Sequence, residues 1–307
     1  MDRKTLCTWL KKQMTSPNLS QNAKAILWVT LGTALFTIIY ASGKMAHGIA
    51  DPFQVIFLRY VSGFSTLIVV SFLFGDGLFS YRSKKPASHL LRAIFGCYGG
   101  AAIIHASAQM PILDATAISL LYVIFIVALG VVLLKERITR MHWLAIGVSS
   151  AGAAIVMGAQ GAFQSFDPAY LWPAAIALIG ALLIAFEAIL IRTLSQSEKT
   201  LTVLLHVNFF GLFLVAIPAF SAWQSINLTE TLLILMLGPI AISAQFCVIR
   251  GYRIADVSIV GPVDYTWLLF AGLLGFLFFG EVPSGGVLFG AALIALGGVL
   301  LALVKSR

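Results

Sequence analysis

The chain has 307 residues, 60% hydrophobic and only 10% charged, with 20 Lys and Arg against 12 Asp and Glu and a formal net charge of +8. Soluble domains carry about 25% charged residues, so this composition cannot cover a water-facing surface. A soluble enzyme, a disordered chain and a nucleic-acid binder are excluded, and a mean hydropathy of +0.97 points to a lipid-embedded protein.

Residues 1–23 are polar and basic and read as a cytoplasmic tail rather than a cleavable leader, because the apolar run behind them is a full span. A helix crosses the ~30 Å hydrocarbon layer with roughly 20 apolar residues. Spans are expected near 24–42, 53–75, 88–108, 112–134, 141–158, 170–193, 201–222, 229–252, 259–280 and 284–304. The runs are continuously apolar and too long for the alternating segments of a barrel. The fold class is therefore an all-α membrane protein of ten transmembrane helices.

The basic residues test this count. With the N-terminus inside, 18 of the 20 Lys and Arg residues fall on cytoplasmic segments, Arg82, Lys84, Lys85 and Arg92 among them at the second loop. Only Lys44 lies in an outer loop, and Arg59 lies within the second span. Because any miscounted span would move every later loop to the other side, the positive-inside rule supports ten spans with both termini cytoplasmic. The basic excess marks topology, with membrane lipid as its contact.

The two halves match. Leu27-Trp28 corresponds to Leu171-Trp172, ILDAT (112–116) to IADVS (254–258), and LLKERIT (133–139) to FFGEVPS (278–284), at offsets between 142 and 145 residues. This spacing divides the chain into a 1–23 tail, a first repeat over 24–158 and a second over 170–304. Five spans per repeat is an odd number, so the second repeat enters the membrane upside down. Inverted repeats are an architecture of secondary transporters, in which two packings of the same parts expose one central site to either side.

Together with these ten spans, FLRY (57–60), Glu136 and Glu281 closing the fourth and ninth spans, Gly-rich fifth and tenth spans and GPVDYTWLLFAGLLGFLFFGEVP (261–283) resemble the EamA branch of the drug/metabolite transporter superfamily. The resemblance covers essentially the whole chain and is greatest to members that take up riboflavin or S-adenosylmethionine; other members export amino acids. It implies a carrier for a small organic metabolite in the cytoplasmic (inner) membrane. The fourth span departs from the family in carrying Leu120-Leu121 where many relatives have a proline, whereas the ninth keeps Pro262.

Ionisable residues inside spans are costly and need a reason. Arg59 shares a helix face with Ser62, Gly63 and Thr66, and either snorkels to the outer interface, pairs with a carboxylate or attracts an anionic group of the cargo. Glu187 lies about four turns into the sixth span, where it suits proton coupling, binding of a substrate amine, or a salt bridge with Arg192 or His206. Asp264 follows Gly261-Pro262, where proline removes a backbone donor and discontinuous spans place ligands; its other reading is a helix-start residue near Arg250 and Arg253. Tyr98, Tyr122 and Gln245 are mid-span hydrogen-bonding residues, and Tyr122, Tyr265 and Trp267 offer faces to a flat ring or a cation. Substrate-binding candidates are thus Arg59, Tyr98, Tyr122, Glu187, Gln245, Asp264, Tyr265 and Trp267, with Glu187 and Asp264 as the proton-coupling candidates. His206 and Asn208, two residues apart, cannot both face one cavity.

Cys7, Cys97 and Cys247 read as small buried hydrophobes, so no disulfide frame, metal or cofactor is expected. Small residues recur at 147, 151, 154 and 158 in the fifth span, and Gly286, Gly290, Ile294 and Gly298 line the tenth. Such spacing lets helices approach closely and builds either the internal scaffold of a monomer or a homodimer face. The alternative class, a polytopic membrane enzyme, lacks any H-E-x-x-H, G-x-S-x-G or P-loop sequence, and a channel would need charge rings or a filter repeat.

Overall fold

A computed structural model describes residues 20–45, 50–73, 81–164, 167–280 and 282–304. Among the described residues ten helices are long and apolar enough to cross a membrane: Gln21–Ile39, Pro52–Leu73, Pro86–Gln109, Ile112–Leu133, Arg140–Ala159, Pro168–Ser197, Thr200–Ser221, Leu228–Ile254, Val257–Phe278 and Gly285–Leu303. Their outer faces expose large side chains such as Ile217, Phe220, Leu232 and Leu277, as lipid-facing helices do. Trp143, Trp172 and Trp223 are exposed near span ends, the usual place of an aromatic belt. The end of the bundle where the described chain begins and finishes is called basal below, and the opposite end is called far. At the basal end the Asn22 side-chain amide donates to the Val304 carbonyl at 2.7 Å, which ties the first span to the last.

The packing repeats with the sequence. The third span lies against the sixth, and the eighth lies against the first in the equivalent way. Both seams need glycine for close approach. A Cβ on Gly180 would sit 2.9 Å from the Gly99 carbonyl, and one on Gly251 would sit 3.0 Å from the Ala25 carbonyl. The fifth and tenth spans form a third seam, where a Cβ on Gly152 would lie 2.6 Å from the Gly290 carbonyl.

That third seam corrects the small-residue face expected in the fifth span. Gly147 and Gly158 face open space, and Ala151 and Ala154 are exposed. The contact stripe is Ala145, Ser149, Gly152 and Val156, rotated away from the expected one. In the tenth span Gly286, Gly290 and Ile294 meet the fifth span as expected, but Gly297 rather than Gly298 completes the row. The scaffold reading holds for this seam, and the expected face points outward.

Both middle spans are broken at equivalent places. The ninth runs as a helix over Val257–Val260, a 3-10 stretch over Gly261–Tyr265 and a helix over Thr266–Phe279, as Pro262 predicts. The fourth breaks as well, between Ile112–Ser119 and Tyr122–Leu133, although Leu120-Leu121 replaces the proline. The Thr116 hydroxyl donates to the Ile112 carbonyl and the Ser119 hydroxyl to the Thr116 carbonyl. Leu121 and Val123 then take i−3 acceptors. Hydroxyl back-bonding loosens a helix, and here it does the work of a proline.

Glu136, just past the fourth span, accepts from the Val257 and Ser258 amides at 2.8 and 3.0 Å. It caps the start of the ninth span, where free N–H groups and the helix dipole favour a carboxylate. Glu281, its repeat partner, and Cys7 lie outside the described residues. Cys97 and Cys247 are free thiols.

Candidate functional site

The interior polar residues fall into two clusters. In the first, Glu187 of the sixth span lies over Gly96 of the third, where a Cβ would come within 2.8 Å of the carboxylate. One turn earlier, Arg92 brings Nε to 3.6 Å from Glu187 Oε1. This is an ion pair longer than a hydrogen bond. The Arg92 side chain is 4% exposed and Glu187 is 23% exposed. Arg92 Nε and Nη1 are buried and make no hydrogen bond. Tyr60 lies near Cys97, Glu187 and Arg92. Its ring rests on Gly211 of the seventh span, and Arg59 stacks against it, with the guanidinium carbon 5.4 Å from the ring centre.

In the second cluster Asp264, on the 3-10 stretch of the ninth span, accepts from the Thr33 hydroxyl at 3.3 Å, with Tyr122 nearby. Tyr265 beside it is buried and meets the Ser150 hydroxyl at 3.3 Å. Trp267 packs with Leu120, Val123 and Leu268 in the adjoining wall. Tyr252 of the eighth span is within electrostatic range of both Asp264 and Glu187.

The remaining expected residues lie elsewhere. Gln245 accepts from Asn208 at 3.2 Å, and Asn208 also donates to the Leu204 carbonyl, so this pair joins the seventh and eighth spans. Tyr98 is 61% exposed on the outer surface and does not join the interior group. Ser62 and Gly63, on the Arg59 face, form the seam with the eighth span, where Ser62 donates to the Leu235 carbonyl. Glu187 pairs with neither Arg192 nor His206. Arg192 bonds Asp256 at 2.9 Å and the Tyr252 carbonyl at 2.6 Å, and His206 stacks on His89. Arg92, assigned to the second loop by its place beside Lys84 and Lys85, is instead buried inside the third span. His89, Arg92 and Gly96 at i, i+3 and i+7 share one helix face, and that spacing is the signal for it. Tyr60, Thr33 and Tyr252 carry no comparable signal.

Equivalent loops are tied together at the two ends. At the basal end Glu198, between the sixth and seventh spans, reaches the loop between the second and third. Its Oε1 accepts from the Ser83 hydroxyl at 2.7 Å and the Lys84 amide at 3.0 Å, and its Oε2 meets His89 Nε2 at 2.7 Å. Arg253 donates to the Glu198 carbonyl. Burial works to raise the Glu198 carboxyl, but the Ser83, His89 and Lys84 hydrogen bonds outweigh it and hold the group below the ordinary carboxylate range. At the far end Gln54, at the start of the second span, pairs with the loop between the seventh and eighth. It donates to the Gln224 carbonyl and accepts from the Gln224 amide, both at 3.0 Å. The repeat exchanges these loops, so one latch is charged and the other neutral.

A separate groove of about 500 Å³ opens on the flank of the second, seventh and eighth spans and is lined by Leu67, Leu204, Phe246, Lys199 and Arg250. Neither interior carboxylate lines it. Among the described residues no group of His, Cys, Asp and Glu is placed to hold a metal ion.

The EamA-like transporter family model matches residues 23–158 and 171–303. The chain is 28% identical to a riboflavin transporter of Rhizobium johnstonii, over 87% of each protein. It is 27% identical to the pseudopaline exporter CntI of Pseudomonas aeruginosa, over 88% of this chain and 95% of that one. It is 22% identical to an S-adenosylmethionine uptake transporter of Rickettsia prowazekii, over 88% and 89% respectively.

Proposed function

The chain belongs to the EamA-like transporter family, and we propose that it is a secondary carrier moving a small organic metabolite across the cytoplasmic membrane by alternating access. The observation that carries this reading is the pair of repeat-related latches, Glu198 with Ser83, Lys84 and His89 at one end and Gln54 with Gln224 at the other. Between them lie the two interior polar clusters, one around Glu187 and Arg92 and one around Asp264. A carrier needs two closures that open in turn around a fixed site, and an inverted repeat supplies both from the same parts. The broken fourth and ninth spans give the interior backbone that can change shape.

The basal end faces the cytoplasm in this reading. It carries Arg82, Lys84, Lys85, Lys135, Arg137, Arg140, Lys199 and Arg253, as the positive-inside rule requires. Glu187 and Asp264 are the groups through which a proton would couple to cargo, because each is a carboxylate in the bundle interior with hydroxyl or guanidinium neighbours. Tyr122 and Tyr265, the aromatic neighbours of Asp264, are the rings that would stack on cargo. Riboflavin, S-adenosylmethionine and an amino acid are the first cargoes to try, since proteins named for the first two cargoes are relatives. The relatives include both uptake proteins and an exporter.

The experiment is transport by purified protein in liposomes. Saturable uptake of one labelled cargo with accelerated counterflow is expected. Conversion of cargo into product with no flux would contradict a carrier and favour a membrane enzyme.

A further inference from the structure

We infer that the carrier holds its cargo by an α-amino-acid head group, with the cargo carboxylate on Arg92 and its ammonium on Glu187; this rests on the carrier reading above. The guanidinium of Arg92 offers a planar fork of N–H donors suited to two carboxylate oxygens. It is almost wholly buried, and its Nε and Nη1 make no hydrogen bond. A buried donor without a partner is rare in a settled interior, and a charged one rarer. Glu187 does not fill the fork, since its nearest oxygen stops at 3.6 Å from Nε.

The pair is therefore only half made, and 23% of the Glu187 side chain stays exposed. A plain anion arriving at Arg92 would leave the Glu187 carboxylate without its cation. A head group carrying both charges on one carbon satisfies both residues together. The lack of a side chain at Gly96 is what allows Glu187 to lie beside Arg92.

The test uses the full-length purified protein and melting-temperature shifts with S-adenosylmethionine and a panel of L-α-amino acids, each set against its decarboxylated amine. At least one amino acid of the panel is expected to stabilise the protein, and its decarboxylated amine to bind at least tenfold more weakly. Arg92→Gln should erase that difference, and Arg92→Lys should restore part of it. Equal binding of the paired compounds, or no response to any amino acid of the panel, overturns the assignment. The paired-ligand comparison needs only the parent protein, so a variant that fails to fold does not obscure the answer. Flux of riboflavin in liposomes with no response to any amino acid would overturn the head-group assignment and leave the carrier reading standing. Flux of no solute at all would count against the carrier reading itself.

Discussion

Glu198→Ala removes the hub of the basal latch. The carboxylate accepts from Ser83 and Lys84 and meets His89, while its side chain is only 8% exposed and the His89 side chain is fully buried. Hydrogen bonds to a charged group contribute about 1.5–3 kcal/mol each. They are not additive within one network, and leaving a buried donor unsatisfied costs about 1–3 kcal/mol. His89 Nδ1 already lacks a hydrogen bond, so the substitution leaves both ring nitrogens bare. A loss of about 3 kcal/mol is expected. Glu198→Gln keeps an acceptor for Ser83 and Lys84 and should lose about 1 kcal/mol. The sign with pH follows from the depressed carboxyl. A group held below its unfolded value contributes stability that is fully present above that value and is lost as pH falls through the folded one. The parent should therefore hold its Glu198 contribution from neutral pH down to about pH 4.3 and lose it below. Denaturant unfolding followed by tryptophan fluorescence between pH 3 and 7 would measure this. An alanine variant as stable as the parent at pH 7, or one with the same acid limb, would refute the latch.

Gly152→Ala drives a methyl into the Gly290 carbonyl, where backbone cannot yield, and should destabilise by about 1–3 kcal/mol. Gly147→Ala and Gly158→Ala, on the open face, should instead be neutral or gain about 0.5–1 kcal/mol of helix stability. Thermal unfolding of the three variants side by side checks both statements. Glu136→Ala strips the cap from the ninth span and should lower stability by about 1–2 kcal/mol, again read by unfolding. An imposed pH gradient should alter uptake into liposomes, and Glu187→Gln should abolish that response. If the variant responds like the parent, Glu187 is structural.

The ten spans and the inverted repeat were legible because both rest on long-range regularities, length of apolar run and sign of loop charge. Asp264 was legible because proline marks a break wherever it stands. The break at Leu120-Leu121 was not, since it depends on hydroxyls of Thr116 and Ser119 choosing local carbonyls. Arg92 was hidden by its neighbours. It stands seven residues after Lys85, and its spacing with His89 and Gly96 marks a shared face while the packing of the third span on the sixth turns that face to Glu187. Gln54 and Glu198 look like ordinary loop-edge polars, and their partners are 170 and about 110 residues away. The fifth-span glycines failed for a related reason, because small-residue spacing fixes a face but not which neighbour meets it.

The most direct measurement is of both latches in one molecule. Spin labels placed beside Gln54 and Gln224, and in a second sample beside Ser83 and Glu198, would report the two closures in liposomes with and without cargo. An alternating carrier should show the two distances changing in opposite senses as cargo is added. Both ends opening together, as in a channel, or neither end moving while cargo is transported, would contradict it.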